Sequence, residues 1–250
     1  NAVFSYFKNE GIDELILDLR LNGGGSVPTS AYLASMIYAN AGIEEFASLK
    51  FNSKHTEENG SYFFANTLHV YDSNDKKIGT EAINRLNTLN RLYVLTSNST
   101  ASASEMVING LKPYINPVKI VGTTTYGKNV GSITLYDSPN TDYQDRLSAN
   151  PSHTYAMQPI VFQIFNKNGE SDYTQGFVPD IEVKEYEYWN NILPFGDENE
   201  VVLKAALDDI RGITAKGPSQ KKMGSKFLDL PISSKNKFEK DMYIDHTFFN

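Results

Sequence analysis

The sequence predicts an α/β fold, built of strand–helix units with additional β-hairpins, and three observations carry that prediction. Short aliphatic runs recur at residues 14–19, 91–96 and 118–121, each closing on a glycine or small-residue turn. Two of them lead into stretches with apolar residues at helical spacing, at 28–39 and 101–111. Between these units, residues 46–90 carry aromatic patches broken by polar turns and read as a β-hairpin or two. Strands alternating with helices make an α/β core, and in open sheets of that kind sites form where strands end and helices begin.

The elements follow in order. Ala2-Val3-Phe4-Ser5-Tyr6-Phe7 is apolar-spaced and reads as the last turns of a helix closed by Gly11. The chain starts there without an initiator Met, so further sequence upstream is expected. Residues 14–19 form a buried strand entering Asn22-Gly23-Gly24-Gly25, and Pro28 sits in the first turn of the helix that follows. Leu92-Tyr93-Val94-Leu95 is the heart of a second strand, leading through polar residues 97–100 to a helix ended by Pro113. A third strand at 118–121 runs into a threonine-rich turn, and strand-like patterns resume at 131–137 and 155–166. Asn166-Lys167-Asn168-Gly169 carries a hairpin turn signal. Residues 201–210 are an amphipathic helix expected to pack back on the core. Residues 214–250 hold seven lysines against four acids and read as a solvated extension, so the chain divides into a core of 1–213 and an extension of 214–250.

Composition removes several function classes. A formal charge of −7, from 23 basic and 30 acidic residues, argues against a nucleic-acid-binding surface. No apolar run approaches the ~18 residues of a membrane-spanning helix. The absence of cysteine excludes disulfides, thiolate metal sites and cysteine nucleophiles together. His55, His69, His153 and His246 are scattered without metal-ligand spacing, so neither a metal, another cofactor nor a Ser–His pair is expected.

Three segments have chemical potential. In Thr100-Ala101-Ser102-Ala103-Ser104-Glu105-Met106, a serine opens a helix directly after a strand. Backbone N–H groups at a helix start can hold a developing oxyanion, and small neighbours admit a substrate carbonyl. Ser102-x-x-Glu105 is equally a capping box, the commoner use of that pattern. Thr123-Thr124-Thr125-Tyr126-Gly127-Lys128-Asn129 places a lysine at the same sheet edge. A lysine acts as a base only when neutral, which burial away from carboxylates achieves, and neighbouring threonines can orient such an amine. As an isolated loop lysine it would simply be exposed. In Asp18-Leu19-Arg20-Leu21-Asn22-Gly23-Gly24-Gly25, glycines bare the backbone to close approach, although three in a row also suit a plain tight turn. Asp18 and Arg20 read as holding the strand end.

Together, in order and content, these segments resemble the C-terminal processing (tail-specific) protease family. There an Asp-Leu-Arg-x-Asn-x-Gly-Gly segment precedes Ser-Ala-Ser-Ala-Ser-Glu, and Thr-Phe-Gly-Lys comes later. Gly176-Phe177-Val178-Pro179-Asp180-Ile181 is similar to the family's Gly-x-x-Pro-Asp-x segment, so the resemblance spans about residues 1–210. It implies a Clp protease/crotonase-like core and a serine endopeptidase acting on polypeptides through an acyl-enzyme. Ser102 would be the nucleophile, Lys128 the general base, and the N–H groups of Ala103 and Gly24 the oxyanion hole, with Gly25 the close alternative to Gly24. Thr100 replaces the family's first serine. Ser132 stands where the family commonly has a lysine-orienting glutamine, which makes Ser132 the candidate for that role. The resemblance further implies an extracytoplasmic location and a PDZ-type module, which this chain does not show. A peptide-binding scaffold of the same fold is the alternative. A related acyl-CoA enzyme is disfavoured by the paired serine and lysine motifs.

Overall fold

The computed structural model describes residues 1–213 and 242–244, apart from positions 41, 74, 75 and 141. Helix α1 (Ala2–Glu10) ends on left-handed Gly11 and leads to β1 (Glu14–Asp18). The glycine turn then passes through the two-residue β2 (Gly25–Ser26) into α2 (Val27–Ile37). Two antiparallel hairpins follow, β3 (Glu45–Phe51) with β4 (Gly60–Phe63), and β5 (Thr67–Tyr71) with β6 (Lys77–Ala82). The second strand–helix unit comprises β7 (Arg91–Thr96), α3 (Ala103–Leu111) and β8 (Val118–Gly122). The chain continues through β9 (Val130–Ile133), β10 (Leu135–Tyr136), β11 (Ala156–Met157), β12 (Ile160–Phe165) and β13 (Ile181–Glu182). Helix α4 (Val201–Ile210) and β14 (Met242–Ile244) complete the described elements.

Two sheets organise the molecule. Strands β1, β7, β8 and β13 form a parallel sheet in the order β1-β7-β8-β13. The second sheet is mixed and runs β2-β14-β9-β12-β3-β4. Strand β7 shows why its sequence reads as a continuous apolar run: it is covered on both faces. Its side chains alternate, with Leu92 and Val94 packed among α2, α3 and the mixed sheet. Tyr93 and Leu95 point the other way, onto Val201, Val202 and Ala206 of α4. Helices therefore lie on both sides of the parallel sheet, and the N-terminus of α3 emerges beside the ends of β1 and β7.

The structure departs from the sequence reading in two places. The turn at 166–169 forms, with Gly169 N–H donating to the Asn166 carbonyl at 2.8 Å. No strand pairs back onto β12 from it among the described residues. Instead, the Ser171 hydroxyl donates to the Ile164 carbonyl at 2.5 Å and closes the bend through a side chain. The expectation that 214–250 is a solvated extension fails at residues 242–244, which form β14 within the mixed sheet. The lysine excess of that stretch concealed an apolar alternation, and Met242 and Ile244 join the main core while Tyr243 is only half-buried. The other residues beyond 213 lie outside the described residues.

Helix α4 is held by a polar anchor as well as by apolar contact. Asp209 accepts from the Tyr93 hydroxyl at 2.6 Å and from the Lys119 amine at 2.5 Å. The Lys119 and Tyr93 hydrogen bonds hold the Asp209 carboxyl below its usual range, while partial burial works against them. A depressed carboxyl stabilises the fold above its unfolded-state value and loses that contribution as pH falls through its folded one. Asp209→Asn is therefore expected to cost on the order of 1 kcal/mol at pH 7, allowing for solvent screening. In urea unfolding, that deficit should shrink progressively below about pH 4.

Candidate active site

Strand β7 delivers its chain to α3 through a tight polar turn. Ser97 N–H donates to Thr100 Oγ1 at 3.0 Å, and that hydroxyl donates to the Leu19 carbonyl at 2.8 Å, tying the turn to the end of β1. The structure places Ser102 at the N-cap of α3, one position ahead of the helix proper, with φ 64° and ψ −117°. A serine in that region of φ/ψ space is strained by on the order of 1–3 kcal/mol, and such strain concentrates where a side chain must be aimed. Ser102 is 0% exposed, and its Oγ has no hydrogen-bond partner among the described residues. From the capping-box pattern, Ser102 N–H donates to Glu105 Oε2 at 2.9 Å.

Glu105 is the hub of the site. Its fully buried carboxylate accepts from Thr125 Oγ1 at 2.6 Å and from Gly127 N–H at 2.7 Å through Oε1. Oε2 takes Lys128 N–H at 2.8 Å beside that of Ser102. These four donors occupy the acceptor capacity of a carboxylate. They also join the serine turn and the lysine loop through a single shared oxygen, which brings the backbone of Lys128 within a lysine's reach of Ser102. Thr125 of the threonine run thus orients Glu105. Lys128 itself is half-buried.

The lysine loop is clamped from behind by the Gly176–Ile181 segment. Phe177 N–H donates to Thr125 Oγ1 at 2.7 Å, and Thr125 N–H returns to the Phe177 carbonyl at 3.2 Å. Gly176 has φ 79°, and a Cβ there would stand 2.1 Å from the Thr125 carbonyl oxygen. Burial, reinforced by the charge of Glu105, pushes the Tyr173 phenol up; its ring stacks on Phe177 with centroids 4.7 Å apart.

Gly24 lies directly against the serine turn. A Cβ on it would fall 2.8 Å from Ala103 N and 2.8 Å from Ser102 Cβ, so only glycine fits this contact. The expected pairing of Gly24 and Ala103 around one reaction centre is thus present in space. However, Gly24 N–H is engaged by Asn22 Oδ1 at 3.0 Å, since an asparagine readily bonds the backbone two residues on. Asn22 also accepts the Ser104 hydroxyl, at 2.9 Å through Oδ1 and 3.0 Å through its carbonyl. A cleft of about 130 Å³ opens beside Gly24 and Ala103, lined by apolar Leu33 and Val107 and by polar Ser26, Thr29 and Ser30.

Among the residues singled out in the sequence, Ser102, Ala103, Gly24 and the Lys128 loop converge. Ser132 does not join them through its proton, which it donates to the Met242 carbonyl at 3.2 Å. Arg20 holds the end of β1 as expected, paired with Asp18 at 2.7 Å and with Glu185 and Glu200 at 3.1 Å each. His55 and His153 pair with Glu57 and Asp137, His69 lies beside Tyr71, and His246 is outside the described residues. Sequence reasoning missed the linking role of Glu105 and the hold of Asn22 on the glycine turn. Each carried a spacing signal, three residues after Ser102 and two before Gly24.

Fold and site define a class of α/β protein that aims a strained serine from a strand-to-helix turn, bound through a buried glutamate to a lysine loop. The model of peptidase family S41 matches residues 1–183, and the chain belongs to that family. This agrees with the resemblance drawn from the motifs. A Bacteroides fragilis NCTC 9343 protein assigned to the S41 proteases is 32% identical and superposes with a TM-score of 0.68, over 86% of this chain and 49% of that one. This chain therefore spans about half the length of that relative. The photosystem II D1 C-terminal processing protease shares the fold at 20% identity and a TM-score of 0.50, over 81% of this chain and 42% of its own. A Streptococcus agalactiae lipoprotein does so at 16% identity and 0.50, over 84% and 61%. No helix among the described residues is long and apolar enough to cross a membrane.

Glu105→Gln replaces one acceptor oxygen by a donor facing N–H groups. It is expected to cost on the order of 3 kcal/mol, read as a lowered midpoint in denaturant unfolding. Thr125→Val, which removes one donor and keeps the carboxylate, should cost about half as much.

Proposed function

We propose that this chain is the catalytic core of a serine endopeptidase that cleaves polypeptides through a Ser102–Lys128 dyad, on a Clp protease/crotonase-like core carried by residues 1–213. Membership of the S41 family supports the peptidase activity. The observation that supports the residue assignment is Ser102, strained, buried and with an unpartnered Oγ, stitched by Glu105 to the loop that carries Lys128.

The chemistry follows from these positions. The neutral amine of Lys128 takes the Ser102 hydroxyl proton as Oγ attacks a peptide carbonyl carbon. The negative charge that develops on the carbonyl oxygen is received by Ala103 N–H at the positive end of α3 and by the backbone of the glycine turn. Gly24 N–H serves once Asn22 Oδ1 releases it, with Gly25 as the alternative. Each such donor is worth on the order of 10²–10³ in rate. Collapse of the tetrahedral species expels the amine product, which takes its proton from the Lys128 ammonium. Water activated by the same amine then hydrolyses the acyl-enzyme. The cleft beside Gly24 suits one substrate side chain of modest size. Ser132 can orient the lysine only as an acceptor, through a lone pair left after its proton goes to Met242. No metal or other cofactor enters this scheme. An extracytoplasmic location is carried over from the family resemblance.

A peptide-binding scaffold is the second reading, favoured by the burial of Ser102 Oγ and the engagement of Gly24 N–H. Digestion of an unfolded polypeptide, read by mass spectrometry, separates the two. The parent should yield fragments, and Ser102→Ala or Lys128→Ala should each slow cleavage by roughly 10³-fold or more. Cleavage surviving Ser102→Ala would overturn the nucleophile. Silence of the parent and both variants alike would favour the scaffold.

A further inference from the structure

We propose that the slot between β2 and β9 receives an extended polypeptide and that residues 242–244 of this chain occupy it, as an internal strand that holds the site shut. The inference deepens the reading of Ser102 and Lys128 as the reaction centre and rests on it. The slot's two walls come from the two loops that flank Ser102. Strand β2 begins at Gly25, one residue beyond the glycine that presses on Ser102, and β9 begins two residues beyond Lys128.

These walls do not pair with each other; β14 lies between them. It runs parallel to both, with Met242 opposite Gly25, Tyr243 opposite Ser26 and Ser132, and Ile244 opposite Ile133. The walls hold it through the backbone ladder and through the Ser132 hydroxyl on the Met242 carbonyl, a contact indifferent to the side chain at 242. Selection comes from alternate side chains: Met242 and Ile244 are buried in the main core, 0% and 6% exposed. Gly131 sits close below, where a Cβ would stand 3.2 Å from the Met242 carbonyl oxygen.

This is recognition by strand addition, in which main-chain bonds supply affinity and alternate pockets supply specificity. A two-residue strand such as β2 cannot stand as an edge alone, so the slot requires an occupant. Any extended segment with apolar residues two apart would meet the same requirement, which defines the ligand class. The internal strand competes at the high effective concentration of a tethered ligand.

The test needs no catalysis. In the chain of residues 1–250 carrying Ser102→Ala, binding of a fluorescent peptide with the sequence of residues 239–247 is followed by anisotropy. Met242→Lys with Ile244→Lys should expel the internal strand and tighten peptide binding at least ten-fold, whereas the same peptide with both apolar residues changed to Lys should not bind. Ser26→Cys with Tyr243→Cys introduces a unique disulfide pair into a cysteine-free chain. Oxidation should abolish peptide binding, and reduction should restore it. Equal binding by oxidised and reduced protein would overturn the proposal, as would a Met242→Lys/Ile244→Lys chain that loses its cooperative unfolding transition without gaining affinity. Because every chain here lacks Ser102, failure of the peptidase reading would appear in the digestion experiment and leave this result standing.

Discussion

The site depends on one buried carboxylate. Glu105 has no solvent to satisfy it, so each of its lone pairs must find a donor within the protein, and burying such a charge unmatched would be prohibitive. The donors come from its own helix start and from a loop more than twenty residues downstream. That demand turns two separate strand ends into one rigid unit. It also explains how an unfavourable backbone at Ser102 persists: the N–H of the strained residue is anchored to the same oxygen that anchors Lys128. The negative carboxylate lies in the first turn of α3, where the helix field favours it.

Around this hub the architecture supplies close approach. The parallel sheet brings the ends of β1, β7 and β8 to one edge, and the segments leaving those ends carry the glycine turn, the serine and the lysine loop respectively. Glycine is required where backbones meet with no room for a side chain, at Gly24 against the serine turn and at Gly176 against Thr125. Both contacts set how near two segments of the site can come. Asn22 then acts as a latch between the glycine turn and α3, occupying an N–H that the chemistry would need.

Both protections are of one kind. An enzyme that reads backbone can act on any extended chain, including its own neighbours, and an unpaired strand edge invites unwanted partners. In this structure the edge is paired, the serine is buried, and the Gly24 N–H proposed for the oxyanion hole is held by a side chain. On the proposed reading, substrate entry exchanges one strand for another of similar chemistry.

The sequence by itself determined the local elements and the motifs from which the proposed reacting groups are drawn. The aliphatic run at 91–96 forms the expected strand, the 46–90 stretch, read as a β-hairpin or two, forms two hairpins, and Gly11 ends α1 because glycine takes a left-handed turn without cost. Ser102, Lys128 and Gly24 were legible because short motifs encode local backbone geometry. What only the tertiary structure decided were the long-range partners. A capping-box pattern shows a glutamate bonding its own helix, and nothing in the spacing shows that its remaining capacity goes to Thr125, Gly127 and Lys128. Likewise, a lysine-rich stretch reads as solvated on average, while Met242 and Ile244 within it are buried between two strand walls. Pairing between distant segments is settled by which complementary surface the fold presents, and a linear pattern does not contain that surface.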